Sequence, residues 1–361
     1  MSGKPHVITV AQLPPPVTGL SAVNARMVRE LETAGLLFDT VDIAPPPGWP
    51  SPLKPAGRLG KTLAAALRLI PARLRGAKTL YMPCDGGSGL AFNVLLTLAA
   101  RALGYTLWTH HHSFAYLNSR SGLMAVFLRF APKGTKHLIL CERMEVLFKK
   151  RYRAEWLAGA PEVIVLSNAF MADVVQQTSH RDGDLVLGHL SNLTEEKGTL
   201  QFLEIFARLS KKGLAIQAKL AGPAYDPKVK AAIQATTAEF PNTFRWFGPV
   251  YGPEKDLFYE GVDVFVFPSR YANEAQPLVL LEALARGAAI VATDRGCMGC
   301  DHQDSPGAVF SEEDFDTQAE LWIEDLAANF NRASLTQEAT LRFASLKQKA
   351  DYALDGIIAE I

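Results

Sequence analysis

A chain of 361 residues is long enough for two domains, each with its own hydrophobic core. Its formal net charge is zero, so the molecule as a whole has no electrostatic reason to bind nucleic acid. The sequence contains no run of 18 uncharged apolar residues, which excludes a transmembrane helix, and its first residues lack the apolar segment of a signal peptide. We therefore expect a cytoplasmic protein.

Short apolar runs alternate with amphipathic stretches along the chain, as in βαβ units. The predicted strands are His6–Val10, Thr79–Met82, Thr106–Thr109, His137–Cys141, Val163–Leu166, Leu185–Leu190, Ile216–Ala221, Phe244–Phe247, Val262–Phe267 and Ala289–Thr293. The predicted helices include Ser21–Ala34, Leu59–Leu74, Gly89–Leu103, Thr199–Lys211, Lys228–Glu239 and Pro277–Arg286. Strands separated by helices of this length predict mostly parallel sheets, so the fold class is α/β.

The elements form two series, which predict two Rossmann-like, doubly wound domains. The first domain covers residues 1–175 and the second covers residues 180–330, with the polar segment 176–184 as the linker. Doubly wound sheets bind ligands beyond the carboxyl ends of their strands. Two such domains facing each other would form a cleft, and we expect the ligands there.

The segment 43–84 has a strong charge bias, with seven basic residues and no acidic one. A basic amphipathic helix of this kind can lie on an anionic membrane surface, which predicts peripheral membrane contact through residues 54–78. The other interpretation is a helix that packs on the first sheet and leaves its charges in solvent. Both interpretations stay open from the sequence.

Two loops of the first domain carry candidate functional residues. The loop from Gln12 to Gly19 follows the first strand, and Ser21 is a candidate to cap the next helix. Three histidines, His110, His111 and His112, follow the strand Thr106–Thr109. They do not predict a metal triad, because successive side chains of an extended segment point to alternate faces.

The second domain carries a cation and two carboxylates in loops that follow strands. Lys197 and Gly198 lie between the strand Leu185–Leu190 and the next helix, while Glu274 and Glu282 follow the strand Val262–Phe267. The two glutamates are eight positions apart, which corresponds to roughly 12 Å along a helix. That distance favours two ends of one extended polyhydroxylated ligand over a single proton-transfer pair.

The pair Cys297 and Cys300 has the spacing of a redox or zinc motif. The sequence has no second CxxC, and the nearby His302 raises the number of candidate ligands only to three. We therefore predict no metal site and no cofactor.

The segment Glu274-x7-Glu282, followed by Ala-Leu-Ala-Arg-Gly287, resembles the signature of family 4 of the retaining glycosyltransferases, which have the GT-B fold. The N-terminal loop, the histidines and the Lys197-Gly198 pair occur in the order found in that family. The resemblance covers nearly the whole chain. It implies that the C-terminal helix, residues 333–361, crosses back to complete the first domain.

The resemblance also implies roles for individual residues. Lys197, Arg270 and backbone amides would bind the donor diphosphate, and Gly19 would lie against the donor phosphates or the acceptor. Glu282 would hold the ribose hydroxyls, Glu274 the hydroxyls of the transferred sugar, and Tyr251 would stack on the base. One histidine would line the catalytic centre. We favour His112 because a small residue, Ser113, follows it, and His110 is the alternative.

Two positions depart from the family pattern. Ser191 stands where an arginine is usual, and Ala275-Gln276-Pro277 replaces the usual Gly-Phe-Gly. Proline suits the start of a helix but removes an amide that could bind the donor. The first departure leaves binding of the donor phosphates to Lys197, backbone amides and Arg270, and the second concerns the identity of the donor.

The predicted reaction is transfer of a hexosyl group, with retention and without a metal, from a UDP- or GDP-linked sugar to an acceptor hydroxyl. The acceptor would be a glycan, a lipid-linked molecule or a small molecule, in polysaccharide or glycoconjugate biosynthesis, and the membrane interpretation would put the protein at the inner face of the membrane. One alternative is an inactive sugar-nucleotide-binding partner of another transferase. Another is a sugar-nucleotide epimerase of the same fold, for which Glu142 is the only additional acid or base candidate.

Overall fold

The computed structural model describes residues 5–45, 53–155, 162–175, 183–302 and 304–361. These residues divide into two compact units. The first unit comprises residues 1–171 and 350–361, and the second comprises residues 172–349. The predicted linker lies outside the described residues, except for Gly183 and Asp184.

The described residues contain strands and helices in alternation. The strands are β1 (Val7–Ala11), β2 (Leu37–Asp42), β3 (Thr79–Cys84), β4 (Thr106–His111), β5 (Lys136–Ile139), β6 (Glu162–Val165), β7 (Leu185–Leu190), β8 (Ile216–Ala221), β9 (Phe244–Trp246), β10 (Val264–Phe267), β11 (Ala289–Thr293) and β12 (Gly307–Phe310). The helices are α1 (Gly19–Thr33), α2 (Lys54–Leu74), α3 (Leu90–Leu103), α4 (Ala115–Asn118), α5 (Gly122–Phe130), α6 (Glu142–Arg151), α7 (Thr199–Lys211), α8 (Pro227–Glu239), α9 (Pro253–Tyr259), α10 (Leu278–Ala285), α11 (Met298–Asp301), α12 (Phe315–Ala328) and α13 (Arg332–Glu360).

The first unit contains a six-stranded parallel sheet in the order β2-β1-β3-β4-β5-β6. Every residue of β1 and β3 is buried, as expected for strands that are covered by helices on both faces. The chain runs from β1 to one side of the sheet and from β3 to the other, so the loops after these two strands diverge. The divergence opens a crevice at the carboxyl ends of β1 and β3.

The second unit contains a six-stranded parallel sheet in the order β12-β11-β10-β7-β8-β9. Its core is formed by apolar residues of the central strands together with the buried faces of α7 and α12, including Phe202, Phe206 and Ile323. Here the chain diverges from β7 to one side and from β10 to the other. The corresponding crevice therefore lies between the ends of β7 and β10.

Two strands, β2 and β12, were absent from the sequence prediction, and both lie at an edge of a sheet. The β2 segment is only half-buried and contains Asp39 and Asp42, so its apolar signal is weak. The β12 segment is four residues long and begins with a glycine. Edge strands need not be apolar on both faces, which explains why hydrophobicity alone did not detect them.

The start of α1 differs from the prediction. Thr18 is the cap residue, and its hydroxyl accepts a hydrogen bond from the Ser21 amide at 3.1 Å. The Ser21 hydroxyl in turn accepts one from the Thr18 amide at 2.8 Å. The prediction that Ser21 caps the helix is therefore wrong, because Ser21 is the reciprocal partner in a capping box one turn later.

A buried ion pair anchors α13 to the start of the second sheet. The Arg332 guanidinium donates to Asp263 through Nε at 2.7 Å and through Nη2 at 3.1 Å. Asp263 is 4% exposed and also accepts a hydrogen bond from the Val186 amide at 2.8 Å. Because Val186 belongs to β7 and Asp263 immediately precedes β10, this pair ties together the two strands that border the crevice.

Replacing Arg332 with alanine is expected to destabilise the second unit by about 3 kcal/mol, since it removes the guanidinium from a carboxylate that remains buried. The measurement is the free energy of unfolding in urea. Glu204→Ala is the control, because it removes an exposed pair with Arg208 on the surface of α7 and should cost less than about 0.5 kcal/mol. Equal losses in the two variants would contradict the anchoring role.

Candidate functional site

The crevice of the second unit holds an ion pair between its two bordering loops. Lys197 lies in the loop after β7, and its Nζ is 2.5 Å from Oε2 of Glu274, in the loop after β10. Ser269 is fully buried and donates to the same carboxylate oxygen at 2.9 Å. In the part of the chain that the structure describes, the hydrogen bonds and the ion pair of the Glu274 side chain all go to Oε2, so Oε1 can accept from a ligand.

The Lys197 ammonium also lies over an aromatic ring that the sequence analysis did not select. It is 4.5 Å from the centroid of the Tyr271 ring. A ring face attracts a cation, so Tyr271 and Glu274 together hold the ammonium at the end of the crevice. Tyr271 lies within the segment between β10 and α10, and position in that segment was the only sequence signal for it.

The loop that bears Lys197 depends on a glycine. Gly198 has a φ of +78°, and a Cβ built on it would lie 2.2 Å from the carbonyl oxygen of Pro268. Any larger residue would therefore push the loop after β7 away from the loop after β10. The Lys197–Glu274 distance depends on this close approach.

Glu274 lies four residues before the first residue of α10, in a loop that contacts residues after β11. The amide of Cys297 donates to the Ala275 carbonyl at 2.7 Å, and the Gln276 side chain donates to Asp301 at 2.8 Å. A Cβ on Gly296 would lie 2.3 Å from the Ala275 oxygen. Segments after β11 thus fix the backbone next to Glu274.

Glu282 lies on α10 and is held by two residues that the sequence analysis missed. Lys255 Nζ is 2.6 Å from the carboxylate, and the Tyr259 hydroxyl donates to Oε2 at 2.8 Å. Both partners belong to α9, and burial raises the pKa of Tyr259 well above its ordinary value, with the Glu282 charge adding to the effect. Tyr259 therefore stays protonated and donates.

Ser191, at the end of β7, is hydrogen-bonded to a buried histidine. Nδ1 of His189 is 2.9 Å from the Val266 carbonyl, and Nε2 is 3.0 Å from the Ser191 hydroxyl. Burial lowers the pKa of His189 to about 4, so the ring is neutral. Because a carbonyl only accepts, Nδ1 carries the proton and the Ser191 hydroxyl donates to Nε2. This orients the hydroxyl oxygen with its lone pairs directed away from the ring.

Two other predicted binding residues lie at the surface of the second unit. Arg270 is exposed, its backbone amide donates to the Glu196 carbonyl, and its Nε lies 3.6 Å from Oε1 of Glu312. Tyr251 is 61% exposed in the loop before α9. Neither side chain forms a hydrogen bond or an ion pair with Lys197 or Glu274.

In the first unit the three histidines divide between the two faces of β4. The rings of His110 and His112 lie 4.0 Å apart on one face. The ring of His111 lies on the other face, bonded to Tyr116 at 2.9 Å and to His137 at 3.0 Å. His111 therefore belongs to the packed interior, while His110 and His112 remain the candidates for a functional histidine.

The two candidate histidines differ in their hydrogen bonds. Nδ1 of His110 is 2.9 Å from the Tyr81 hydroxyl, whereas Nε2 of both His110 and His112 has no partner among the described residues. Burial lowers the pKa of His112 to about 3 and that of His110 well below its ordinary value, so both rings are neutral. A neutral imidazole with a free nitrogen can bind a hydroxyl group but cannot act as a cation.

The crevice of the first unit contains a carboxylate that the sequence analysis also missed. Asp85 follows β3, is 8% exposed, forms an ion pair with Arg58 of α2 and accepts from the Gln12 side chain at 3.2 Å. Gln12 follows β1, so Asp85 joins the two diverging loops as the ion pair does in the second unit. Gly19 begins α1 at the far end of the Gln12 loop and is exposed.

The described residues contain no group of three or more His, Cys, Asp or Glu side chains that could hold a metal ion. None of the helices described is both long and apolar enough to cross a membrane.

Comparison with known proteins identifies the fold. Residues 184–327, less than half of the chain, match the family described as "Glycosyl transferases group 1". Among solved structures, sucrose-phosphate synthase from Thermosynechococcus elongatus superposes with a TM-score of 0.70 at 15% identity, with 97% of each chain covered. A search of curated protein sequences finds no match.

Two further structures agree with this result. The apo lipopolysaccharide outer core galactosyltransferase WaaB has a TM-score of 0.67 at 15% identity, covering 99% of this chain and all of the other. Anabaena Alr3699/HepE, solved in complex with UDP, also has a TM-score of 0.67 at 15% identity, covering 97% of this chain and 100% of the other. Together with the two parallel sheets, these similarities show that the chain has the two-domain α/β fold GT-B, as predicted from the sequence.

Gly198→Ala is expected to cost about 3 kcal/mol of unfolding free energy or more, because the new Cβ meets the Pro268 backbone. Gly213→Ala is the matched control: it has a φ of +86° but nothing lies within 4 Å of its Cβ position. The control should lose only the roughly 1 kcal/mol that an alanine costs when its backbone is in the left-handed region. Urea unfolding measures both, and equal losses would mean that the loop approach is not tight.

His189 predicts a specific dependence of stability on pH. Its pKa is about 4 in the folded protein against 6.5 when unfolded, so the unfolded chain binds the additional proton between these values. Stability should fall as the pH drops through this window, by about 2 kcal/mol from this residue between about pH 7 and about pH 5. In His189→Gln, the free energy of unfolding should fall by that much less over the same pH range. Parallel curves for wild type and variant, measured by urea unfolding, would contradict the assignment.

Proposed function

We propose that the protein is a retaining glycosyltransferase of family 4 that moves a hexosyl group from a nucleoside-diphosphate sugar to an acceptor hydroxyl. The observation that carries the proposal is the Lys197–Glu274 ion pair at the crevice of the second sheet, with Glu282 on the helix that follows. A cation can bind the diphosphate of a nucleotide sugar, and two carboxylates can accept hydrogen bonds from the hydroxyls of its two sugar rings. Ligands of doubly wound sheets bind where the chain diverges from two neighbouring strands, as it does after β7 and β10. The family match over residues 184–327 supports the same assignment.

In the proposed donor site, each of the three charged side chains binds a different part of the nucleotide sugar. Lys197 would turn from Glu274 to the diphosphate, where a positive charge offsets the negative charge of the leaving group. Glu274, still held by Ser269, would bind hydroxyls of the hexose through its available oxygen. Glu282 would bind the ribose hydroxyls, since each carboxylate oxygen can accept more than the bonds it receives from Lys255 and Tyr259.

The remaining predicted residues belong to the same proposal. His112 would contact the transferred sugar through its unpartnered Nε2, and Gly19 would lie beside the phosphates or the acceptor. Ser191 would bind a phosphate oxygen through a water molecule or directly, in place of the usual arginine. Arg270 would add charge near the diphosphate, and Tyr251 would cover the base.

In the proposed reaction the bond between the anomeric carbon and the diphosphate oxygen breaks while the acceptor oxygen attacks from the same face. The acceptor proton passes to the departing phosphate oxygen, so no protein nucleophile and no metal is required. The protein contributes positioning and charge stabilisation. We place the reaction in polysaccharide or glycoconjugate synthesis in the cytoplasm, with UDP or GDP as the leaving group.

The donor proposal is tested by titrating UDP, GDP, ADP, CMP and dTDP against wild-type protein in thermal unfolding and calorimetry. We expect UDP or GDP to stabilise the protein by about 2.7 kcal/mol at about 100 times its dissociation constant. Glu282→Ala should lose this stabilisation, and Lys255→Met should weaken binding about tenfold because Glu282 loses the cation that positions it. Glu254→Ala, an exposed neighbour of Lys255 on α9, is the control and should bind like wild type.

The catalytic part is tested with the matching UDP- or GDP-hexose and NMR of the product. Lys197→Met should lower kcat about 100-fold, the product should keep the anomeric configuration of the donor, and EDTA should have no effect. Nucleotide binding without turnover on any donor would favour the inactive binding partner. Absence of nucleotide binding would overturn the donor site itself.

A further inference from the structure

The first unit carries an apolar surface that no other part of the described chain covers. Along α2, five large side chains recur at intervals of three or four residues and are between 45% and 84% exposed: Leu59, Leu63, Leu67, Ile70 and Leu74. The buried side chains of α2 are mostly small, such as Thr62 and Ala65, and Leu69 is the large one among them. The helix is therefore amphipathic in the unusual sense that its most apolar stripe points into solvent.

The neighbouring helices extend this surface. Helix α3 packs against α2, and α5 packs against α3. Leu98 of α3 and Leu123, Val126 and Phe130 of α5 are each about 40% exposed. We name these nine side chains, on three adjacent helices, the apolar face. Monomeric soluble proteins rarely leave so many large apolar residues together in water, so the face is expected to bind something.

The charge around the apolar face identifies the occupant. Helices α2, α3 and α5 contain seven basic residues and no acidic residue. Asp39, Asp42 and Asp85 neutralise three of the cations, Arg68, Lys61 and Arg58. In the described part of the chain, no ion pair involves the exposed cations on these helices or shortly after their last residues: Lys54, Arg75, Arg101, Arg129 and Lys133.

We infer that the apolar face binds the surface of an anionic lipid bilayer. A helix of 21 residues is about 30 Å long, and this one would lie in the plane of the interface with its leucines among the acyl chains. Long basic side chains at both ends of α2 can reach anionic headgroups while their stems remain in the apolar layer. The sequence indicated contact through residues 54–78, and the structure adds α3 and α5 to that surface.

The position of α2 relates this surface to the crevice of the first unit. Arg58, in the second turn of α2, pairs with Asp85 at the carboxyl end of β3. The bilayer-bound face thus begins beside the crevice, which suits an acceptor that is itself anchored in the lipid. The inference does not rest on the transferase proposal, because lipid binding is measured without donor or acceptor.

The test is flotation of the full-length protein with vesicles of phosphatidylcholine alone and with about one third phosphatidylglycerol. We expect binding to the anionic vesicles, weakened by high salt. Leu67→Glu combined with Leu74→Glu should lower the partition coefficient at least about tenfold, because it puts charge where the side chains enter the acyl region. Both residues are largely exposed, so the variant should fold.

The matched control is Leu257→Glu combined with Leu341→Glu, which changes leucines of similar exposure in the second unit. It should bind like wild type. Lys54→Gln with Arg75→Gln should weaken binding to anionic vesicles about tenfold and leave weak binding to phosphatidylcholine unchanged.

Three results would overturn the inference. Wild-type protein that stays with neither kind of vesicle would exclude a lipid surface. Equal losses in the Leu67/Leu74 and Leu257/Leu341 variants would show that the face has no special role. A dimer seen by sedimentation velocity, and lost in the Leu67/Leu74 variant, would assign the face to a second copy of the chain instead.

Discussion

The ion pair between Lys197 and Glu274 depends on one topological constraint, the divergence of the chain from the two central strands of a parallel sheet. Because β7 and β10 are neighbours that lead to opposite sides, their loops leave a crevice into which both side chains extend. The Arg332–Asp263 pair holds the beginnings of these strands together, and Gly198 allows the loops at their ends to approach. Stability and site geometry therefore come from the same pair of strands.

The same constraint operates in the first unit with different chemistry. There the diverging loops follow β1 and β3, and Asp85 joins them through Gln12 while pairing with Arg58. The histidines nearby are neutral because burial outweighs any gain from charge. One crevice thus presents a cation and free carboxylate oxygen, and the other presents uncharged imidazole and a neutralised carboxylate.

The basic segment 54–78 illustrates how tertiary structure changes the meaning of a charge pattern. Three of its cations, Arg68, Lys61 and Arg58, pair with Asp39, Asp42 and Asp85, whereas the packed-helix interpretation left all the charges in solvent. The five large apolar side chains that recur along α2 are nevertheless exposed and are not the ones buried in the first unit. The buried residues of α2 are mostly small, such as Ala65 and Ala72.

The sequence alone was enough to predict the α/β class and most strands, because strands buried on both faces are continuous apolar runs. The GT-B fold was predicted from the resemblance to a known family and not from those runs. The sequence could not reveal β2 or β12, since an edge strand carries polar residues where one face is open. It also identified Lys197, Glu274 and Glu282 as candidates, because they follow the ends of predicted strands in the order found in the family that the chain resembles. Only the tertiary structure identified Ser269, Tyr271, Lys255, Tyr259 and Asp85. The last four have partners on elements distant in sequence, and no local pattern encodes the bond between Ser269 and Glu274 within one loop.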